Sequence, residues 1–172
     1  AFLAPPRRTE AARRALKAMK ILCLSGPNLQ LLGTRNPAVY GTTTLDEIHR
    51  DLAERASLLG IDFEARQTNH EGVLCDWLAE ARLFFDGVLL NGGGLTHTSI
   101  ALRDAVEAIA LPTVEVHVSN PEAREPFRHH SYLSAVCFAK VAGFGPASYR
   151  IALDGLVSHL QRSALASPER EA

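Results

Sequence analysis

The sequence predicts an α/β fold built on a parallel sheet, and two observations point to it. Five short segments read as strands, the first of them the apolar run Ile21-Leu22-Cys23-Leu24. Between them lie segments whose apolar residues recur every three or four positions, as on one face of a helix. Strands that alternate with helices pair in parallel through right-handed crossovers. The expected architecture is therefore a three-layer sandwich of the flavodoxin-like type around a five-stranded parallel sheet. Such folds bind ligands beyond the carboxyl ends of the strands, at the switch point beside strand one.

Strand one is expected over about residues 20–25. The segment SGPNLQLLGTRNPAVYG, from Ser25 to Gly41, follows it as a long loop, since its glycines and prolines forbid a long regular element. TTTLDEI then reads as a helix start, with Thr43 or Thr44 as cap and Glu47 in the first turn. Leu45, Ile48, Leu52 and Leu59 share its apolar face, and Gly60 ends it. Residues 62–67 alternate as strand two. A second helix is expected over 71–85, with Leu74, Trp77, Leu78, Ala81 and Phe85 inward. Strand three is Gly87-Val88-Leu89-Leu90, the third helix spans 96–108, strand four spans 112–118 and strand five spans 136–141. A closing helix over 148–160 turns Leu153, Leu156, Val157 and Leu160 inward.

The chain of 172 residues is long enough for one domain with a full core. Residues 19–165 are expected to form a single catalytic domain. Residues 1–18 read as a weakly ordered extension and 166–172 as a tail. No apolar run approaches the ~20 residues of a membrane helix. The formal charge is −1, but residues 1–20 hold six basic residues and one acidic, which leaves a net −6 on the remainder. A body of that sign is a poor match to nucleic acid. Cys23, Cys75 and Cys137 are far apart in apolar surroundings and read as buried, reduced thiols of a cytoplasmic protein, neither a metal site nor a disulfide frame.

Three loops carry candidate chemistry. The loop after strand one holds Asn28, Arg35 and Tyr40, and its segment 34–40 offers few core-forming side chains, the pattern of a mobile lid. The loop after strand three, NGGGLTHTS, places Asn91 and His97 around three glycines that let backbone approach a ligand. Its Thr96, Thr98 and Ser99 can cap the helix that follows. It is not a nucleotide-binding P-loop. Strand four ends in VEVHVSN, where alternation turns Glu115, His117 and Ser119 the same way. A carboxylate two residues before a histidine can hold its imidazole in orientation. Arg124 and Arg128, four apart, share a face if that stretch is helical. A tyrosine base with cations to lower its pKa, and a histidine acid oriented by Glu115, suit abstraction of a proton beside a carbonyl and loss of a β-hydroxyl. Arginines suit an anionic, hydroxylated substrate. Two other readings fit the fold. A flavin or nucleotide-phosphate binding module calls for aromatic walls, against an aromatic content of 6%. An assembly protein leaves Glu115 and His117 unexplained.

GPNLQLLGTRNPAVYG, QTNHEG, NGGGLTHTS with ALRDA, VEVHVSN and REPFRHHSY, in this order over about residues 20–160, resemble the signatures of type II 3-dehydroquinate dehydratases. The resemblance implies a flavodoxin-like fold, a dodecamer built as a tetramer of trimers, and conversion of 3-dehydroquinate to 3-dehydroshikimate by anti elimination through an enolate, without cofactor or metal. It makes Tyr40 the base and His117 the general acid. Asn28 stabilises the enolate through a water, Arg35 accompanies Tyr40 on the lid, Arg124 depresses the Tyr40 pKa, and Glu115 orients His117. The side chains of Asn91, His97, Ser119 and Arg128 and the Val118 amide hold substrate, and Asp104 serves a neighbouring subunit. Ser25 stands where the family often has Asn. Gly92 stands where Pro or Ala is common, and is expected to add backbone freedom beside Asn91.

Overall fold

The computed structural model describes residues 19–34 and 41–166. Five strands form: β1 (Lys20–Ser25), β2 (Asp62–Gln67), β3 (Gly87–Asn91), β4 (Thr113–His117) and β5 (Ala139–Ala142). They pair in the order β2-β1-β3-β4-β5, with every pair parallel. This is the flavodoxin-like order, with the switch point between β1 and β3. Among the described residues four α-helices cover the sheet: α1 (Leu45–Leu59), α2 (Glu71–Phe84), α3 (Ile100–Ile109) and α4 (Ala147–Ala166).

Strand alternation divides the interior into two layers. Ile21, Cys23, Leu89, Val114 and Val116 turn toward α1 and α4, where they meet Leu45, Ile48, Leu52, Tyr149, Leu153 and Leu156. Leu22, Leu24, Val88 and Leu90 turn the other way and meet Leu74, Leu78, Leu102, Val106 and Leu133. The central strands β1, β3 and β4 are buried along almost their whole length, as a parallel sheet covered on both faces requires.

The helix ends follow local chemistry. Thr44 caps α1: its hydroxyl accepts from the Glu47 amide at 3.2 Å, and the Glu47 carboxylate accepts from the Thr44 amide at 2.8 Å. Gly60 ends α1 in the left-handed conformation at φ 70°. The edge strand β2 is dressed with ion pairs. Arg66 bridges Glu64 (2.7 Å) and Glu80 (2.8 Å), and Lys20 reaches Glu64 at 3.2 Å.

Several expected boundaries move. The third helix does not begin at Thr96. Residues Gly93–His97 form a 3-10 turn, Gly93 takes φ 56°, and α3 starts only after Ser99, whose hydroxyl accepts from the Leu102 amide at 2.8 Å. β4 is shorter than 112–118. Pro112 has no N–H for a ladder, and the Val118 carbonyl accepts from Gly145. β5 begins at Ala139 instead of Val136, because the Val136 and Cys137 amides both donate to the Leu133 carbonyl and close a turn. α2 ends at Phe84, with Phe85 as its cap, and α4 runs from Ala147 through Ala166, one residue into the expected tail. Residues 1–18 and 167–172 lie outside the described residues. The three cysteines are free thiols, but only Cys23 is fully buried; Cys75 and Cys137 are half-buried.

The loops after β1 and β3 touch through backbone alone. The Gly26 amide donates to the Asn91 carbonyl at 2.8 Å, and a Cβ on Gly26 would lie 2.6 Å from the Gly92 carbonyl oxygen. A methyl group there cannot be relieved by a side-chain rotation, so the two loops must separate. Gly26→Ala is expected to lower the free energy of unfolding by ~1–3 kcal/mol, the usual cost of overpacking, read from urea midpoints. A neutral result would mean that the loops are not locked together.

Candidate active site

A cavity of about 200 Å³ opens beyond the carboxyl ends of β1, β3 and β4, the place the topology predicts. Eight expected site residues line it: Asn28, Asn91, His97, His117, Val118, Ser119, Arg124 and Arg128. Glu115 lies directly behind His117. Asp104 does not reach the cavity; it is exposed on α3 and pairs with Arg103 at 2.9 Å. Arg35 and Tyr40, with the rest of the expected lid from 35 to 40, lie outside the described residues.

Asn28 takes the left-handed conformation, φ 67°, which asparagine tolerates better than most residues. Its amide donates to the Asn69 carboxamide oxygen at 2.9 Å. Gln67 donates to the Gly26 carbonyl and to Gln30 and Asn69. The QTN segment thus holds the loop that presents Asn28, a supporting role that its residues did not announce in the sequence.

The Glu115–His117 pair is the most constrained part of the site. Glu115 has no exposed surface, and His117 keeps only 7% of its own. One Glu115 oxygen lies 2.6 Å from His117 Nε2. The Ser131 hydroxyl donates to the same carboxylate at 2.9 Å, and Ser134 donates to its other oxygen. Burial by itself pushes the Glu115 carboxyl up, but the bonds from His117 and Ser134 outweigh it and hold the group below the ordinary range. With the carboxylate ionised, His117 Nε2 carries a hydrogen and donates, which leaves Nδ1 as the nitrogen that takes and releases a proton. Ser131 and Ser134 stand inside the motif HHSYLS, and neither was singled out by sequence. Only the fold shows that this loop returns under β4.

His97 Nδ1 lies 2.7 Å from the His130 carbonyl, so that nitrogen carries the hydrogen and Nε2 is the acceptor. Burial lowers its pKa, the His130 carbonyl opposes the change, and His117 and Arg128 add to it, so His97 is neutral near pH 7. The two histidine rings stack with centroids 6.5 Å apart. Arg124 and Arg128 converge as expected, but not on a helix face. Two short 3-10 turns, Pro121–Ala123 and Pro126–Arg128, carry the chain around, with Arg124 extended between them. Prolines 121 and 126 start these turns and prevent one continuous helix. Glu125 lies between the guanidiniums, 3.4 Å from Arg124 and 2.9 Å from Arg128, and Arg124 also reaches the Ser119 hydroxyl at 3.4 Å.

Gly92 has ordinary backbone angles, φ −69° and ψ −8°, so the freedom expected of it is not used. What it leaves is room: a Cβ there would lie 2.8 Å from the Thr96 hydroxyl. Among the described residues no group of three or more His, Cys, Asp or Glu is placed to hold a metal, and no helix is long and apolar enough to cross a membrane. The arrangement can hold an anion against two arginines, accept a hydroxyl at His97, and pass a proton at His117.

Residues 19–157 match the family described as Dehydroquinase class II. A 3-dehydroquinate dehydratase of Dinoroseobacter shibae is 53% identical over 150 residues, covering 87% of this chain and all of that protein. One from a Nostoc species is 53% identical over 146 residues, covering 85% of this chain and 99% of that protein. A solved type II dehydroquinase from Propionibacterium acnes is similar with a TM-score of 0.78 and 42% identity, covering 81% of this chain and 96% of that one. A type II dehydroquinase from Butyrivibrio crossotus gives a TM-score of 0.80 and 38% identity, covering 81% and 97%.

The Glu115 cradle has a measurable signature. A carboxylate whose folded pKa is lowered contributes stability above its unfolded pKa, and loses that contribution as pH falls through the folded value. Ser134→Ala removes one lowering bond and moves the folded value up. The stability deficit of Ser134→Ala should therefore be full near pH 7 and shrink as pH falls below the unfolded value of about 4.5. Denaturant midpoints at the two ends of that range check it. A deficit independent of pH would assign Ser134 to packing alone.

Proposed function

The chain belongs to the class II dehydroquinase family, and we propose how its own residues carry out the family reaction. It is a hydro-lyase of the shikimate pathway, which serves aromatic amino acid biosynthesis, and it converts 3-dehydroquinate to 3-dehydroshikimate. The observation that carries the reading is the buried Glu115–His117 pair opening into a cavity walled by Arg124 and Arg128.

In this reading Tyr40, as the phenolate, takes a proton from the carbon beside the ketone. The electrons move into an enolate, which Asn28 stabilises through a water. The enolate then re-forms the carbonyl, the double bond closes toward the neighbouring carbon, and the carbon–oxygen bond on that carbon breaks. His117 gives its Nδ1 proton to the departing hydroxyl, which leaves as water. Acid and base act from opposite faces, so the elimination is anti. Arg35 and Arg124 favour the phenolate, since a free tyrosine with a pKa of about 10 is a weak base at neutral pH. Glu115 steadies the imidazolium that His117 must become between turnovers. Asn91, His97, Ser119, Arg128 and the Val118 amide hold the carboxylate and hydroxyls of the substrate. No cofactor or metal enters the scheme.

We also propose a homo-dodecamer, a tetramer of trimers, of single catalytic domains spanning 19–165, working in the cytoplasm. The exposed position of Asp104 on α3 supports a role toward a neighbouring subunit.

Incubation with 3-dehydroquinate should generate the absorbance of a conjugated enone. Tyr40→Phe and His117→Ala should each lower kcat by ~10²–10⁴-fold, the usual contribution of a general base or acid, with the fold intact. Near-full turnover in Tyr40→Phe would remove Tyr40 as the base. Arg124→Ala should raise the Tyr40 pKa and so move the ascending limb of the pH–rate profile to higher pH; an unmoved limb would end that assignment. Sedimentation should show the dodecamer, and a fully active monomer would refute the proposed assembly.

A further inference from the structure

Helix α4 reaches Asn91 from behind through Tyr149. Tyr149 is fully buried, and its hydroxyl lies 2.9 Å from the Asn91 side-chain nitrogen. On the other side of the same amide, the Asn91 oxygen accepts from the Gly93 N–H at 3.1 Å. A backbone N–H can only donate, so that contact fixes which end of the amide is oxygen. The Asn91 nitrogen therefore faces Tyr149 and donates to it.

The Tyr149 hydroxyl also has Ser25 for a neighbour. The Ser25 side chain lies beside it and partly offsets the effect of burial on the phenol. Ser25 pairs with Asn91 in register across β1 and β3, and both are buried. The Ser25 hydroxyl has a long, 3.5 Å contact with His49 Nε2. Burial lowers the His49 pKa, against a smaller opposing effect of Asp46, so the ring is neutral. The Tyr149 hydroxyl serves as an acceptor and not as an acid, since burial pushes the phenol far above its ordinary value.

Only one Asn91 N–H and one oxygen lone pair remain for the cavity. Rotation or a flip of the amide would break both existing bonds and leave buried polar groups unpaired, which is costly. We propose that Tyr149, backed by Ser25, is a positioning residue that locks the Asn91 carboxamide in the orientation that receives substrate. The inference rests on the reading of Asn91 as a substrate ligand given above. It assigns a role to a helix distant in sequence from every expected site residue, and to the serine that stands where the family often has asparagine.

An interaction that holds substrate equally in the ground and transition states affects KM and leaves kcat nearly unchanged. Steady-state kinetics of Tyr149→Phe, Asn91→Ala and the double variant test the proposal, with Ser25→Ala beside them. Tyr149→Phe should raise KM by about tenfold, equivalent to ~1.4 kcal/mol, with kcat within roughly threefold of the parent. Asn91→Ala should raise KM at least as much. The double variant should match Asn91→Ala alone, because the hydroxyl has nothing left to position. Ser25→Ala should raise KM in the same direction by a smaller factor, and it supplies the reading should Tyr149→Phe fold poorly. A Tyr149→Phe protein with lowered thermal stability but the parent KM would overturn the proposal, as would KM effects that multiply in the double variant. If Asn91→Ala itself left KM unchanged, the reading of Asn91 as a ligand would fail, and the inference with it. A normal Tyr149→Phe beside an impaired Asn91→Ala would sink the inference alone.

Discussion

A carboxylate with no access to water must be satisfied by protein, and the segment from 129 to 138 is shaped by that demand. Glu115 takes its bonds from His117 on its own strand and from Ser131 and Ser134 on the returning loop. The Ser131 oxygen in turn accepts from the Leu133 and Ser134 amides, and Leu133 fills the core beside them. The Leu133 carbonyl then closes the turn with Val136 and Cys137. Leaving this carboxylate unpaired would cost several kcal/mol, far more than a longer edge strand contributes. Val136 and Cys137 are therefore drawn into the turn and do not lengthen β5.

The site is divided between two layers by the alternation of strand side chains. Asn91 follows Leu89 to the α1/α4 side, where Tyr149 meets it. Glu115 alternates with Val114 and Val116 and so turns to the opposite side, where Ser131 and Ser134 meet it. The substrate-holding amide and the acid-orienting carboxylate thus stand on neighbouring strands but are braced by different parts of the chain. The Asn91 brace is one fully buried hydroxyl, and the Glu115 brace is two hydroxyls from the returning loop. Placing functional groups on strand ends that are supported in this way limits their rotation, which is what positioning for catalysis requires.

Sequence patterns made much of this legible. The runs Ile21–Leu24 and Gly87–Leu90 read as buried strands, and the TTTLDE start of α1 narrowed its cap to Thr43 or Thr44, of which Thr44 is the one used. The alternation in VEVHVSN alone puts Glu115 and His117 on one side. What it could not convey was where distant loops return. Ser131 and Ser134 lie 16 and 19 residues from Glu115, and Tyr149 lies 58 from Asn91. In a helix whose apolar face is obvious, a tyrosine counts first as core, and its hydroxyl acquires meaning only when its partner is seen. The helical reading of Arg124 and Arg128 failed for a local reason, because prolines at 121 and 126 divide the stretch into separate turns.

The two open edges of the sheet differ in character. Along β2 the outer rim carries Glu64 and Arg66 within a ladder that also draws in Lys20 and Glu80, and extension of the sheet by a foreign strand there would have to displace water from fixed charge. Beside β5 the surface is oily instead, with Phe138 and Phe144 each more than half exposed. A strand arriving at the β5 flank would meet the two rings and a single ion pair, Lys140 with Glu122, where one arriving at β2 meets a network of four charges.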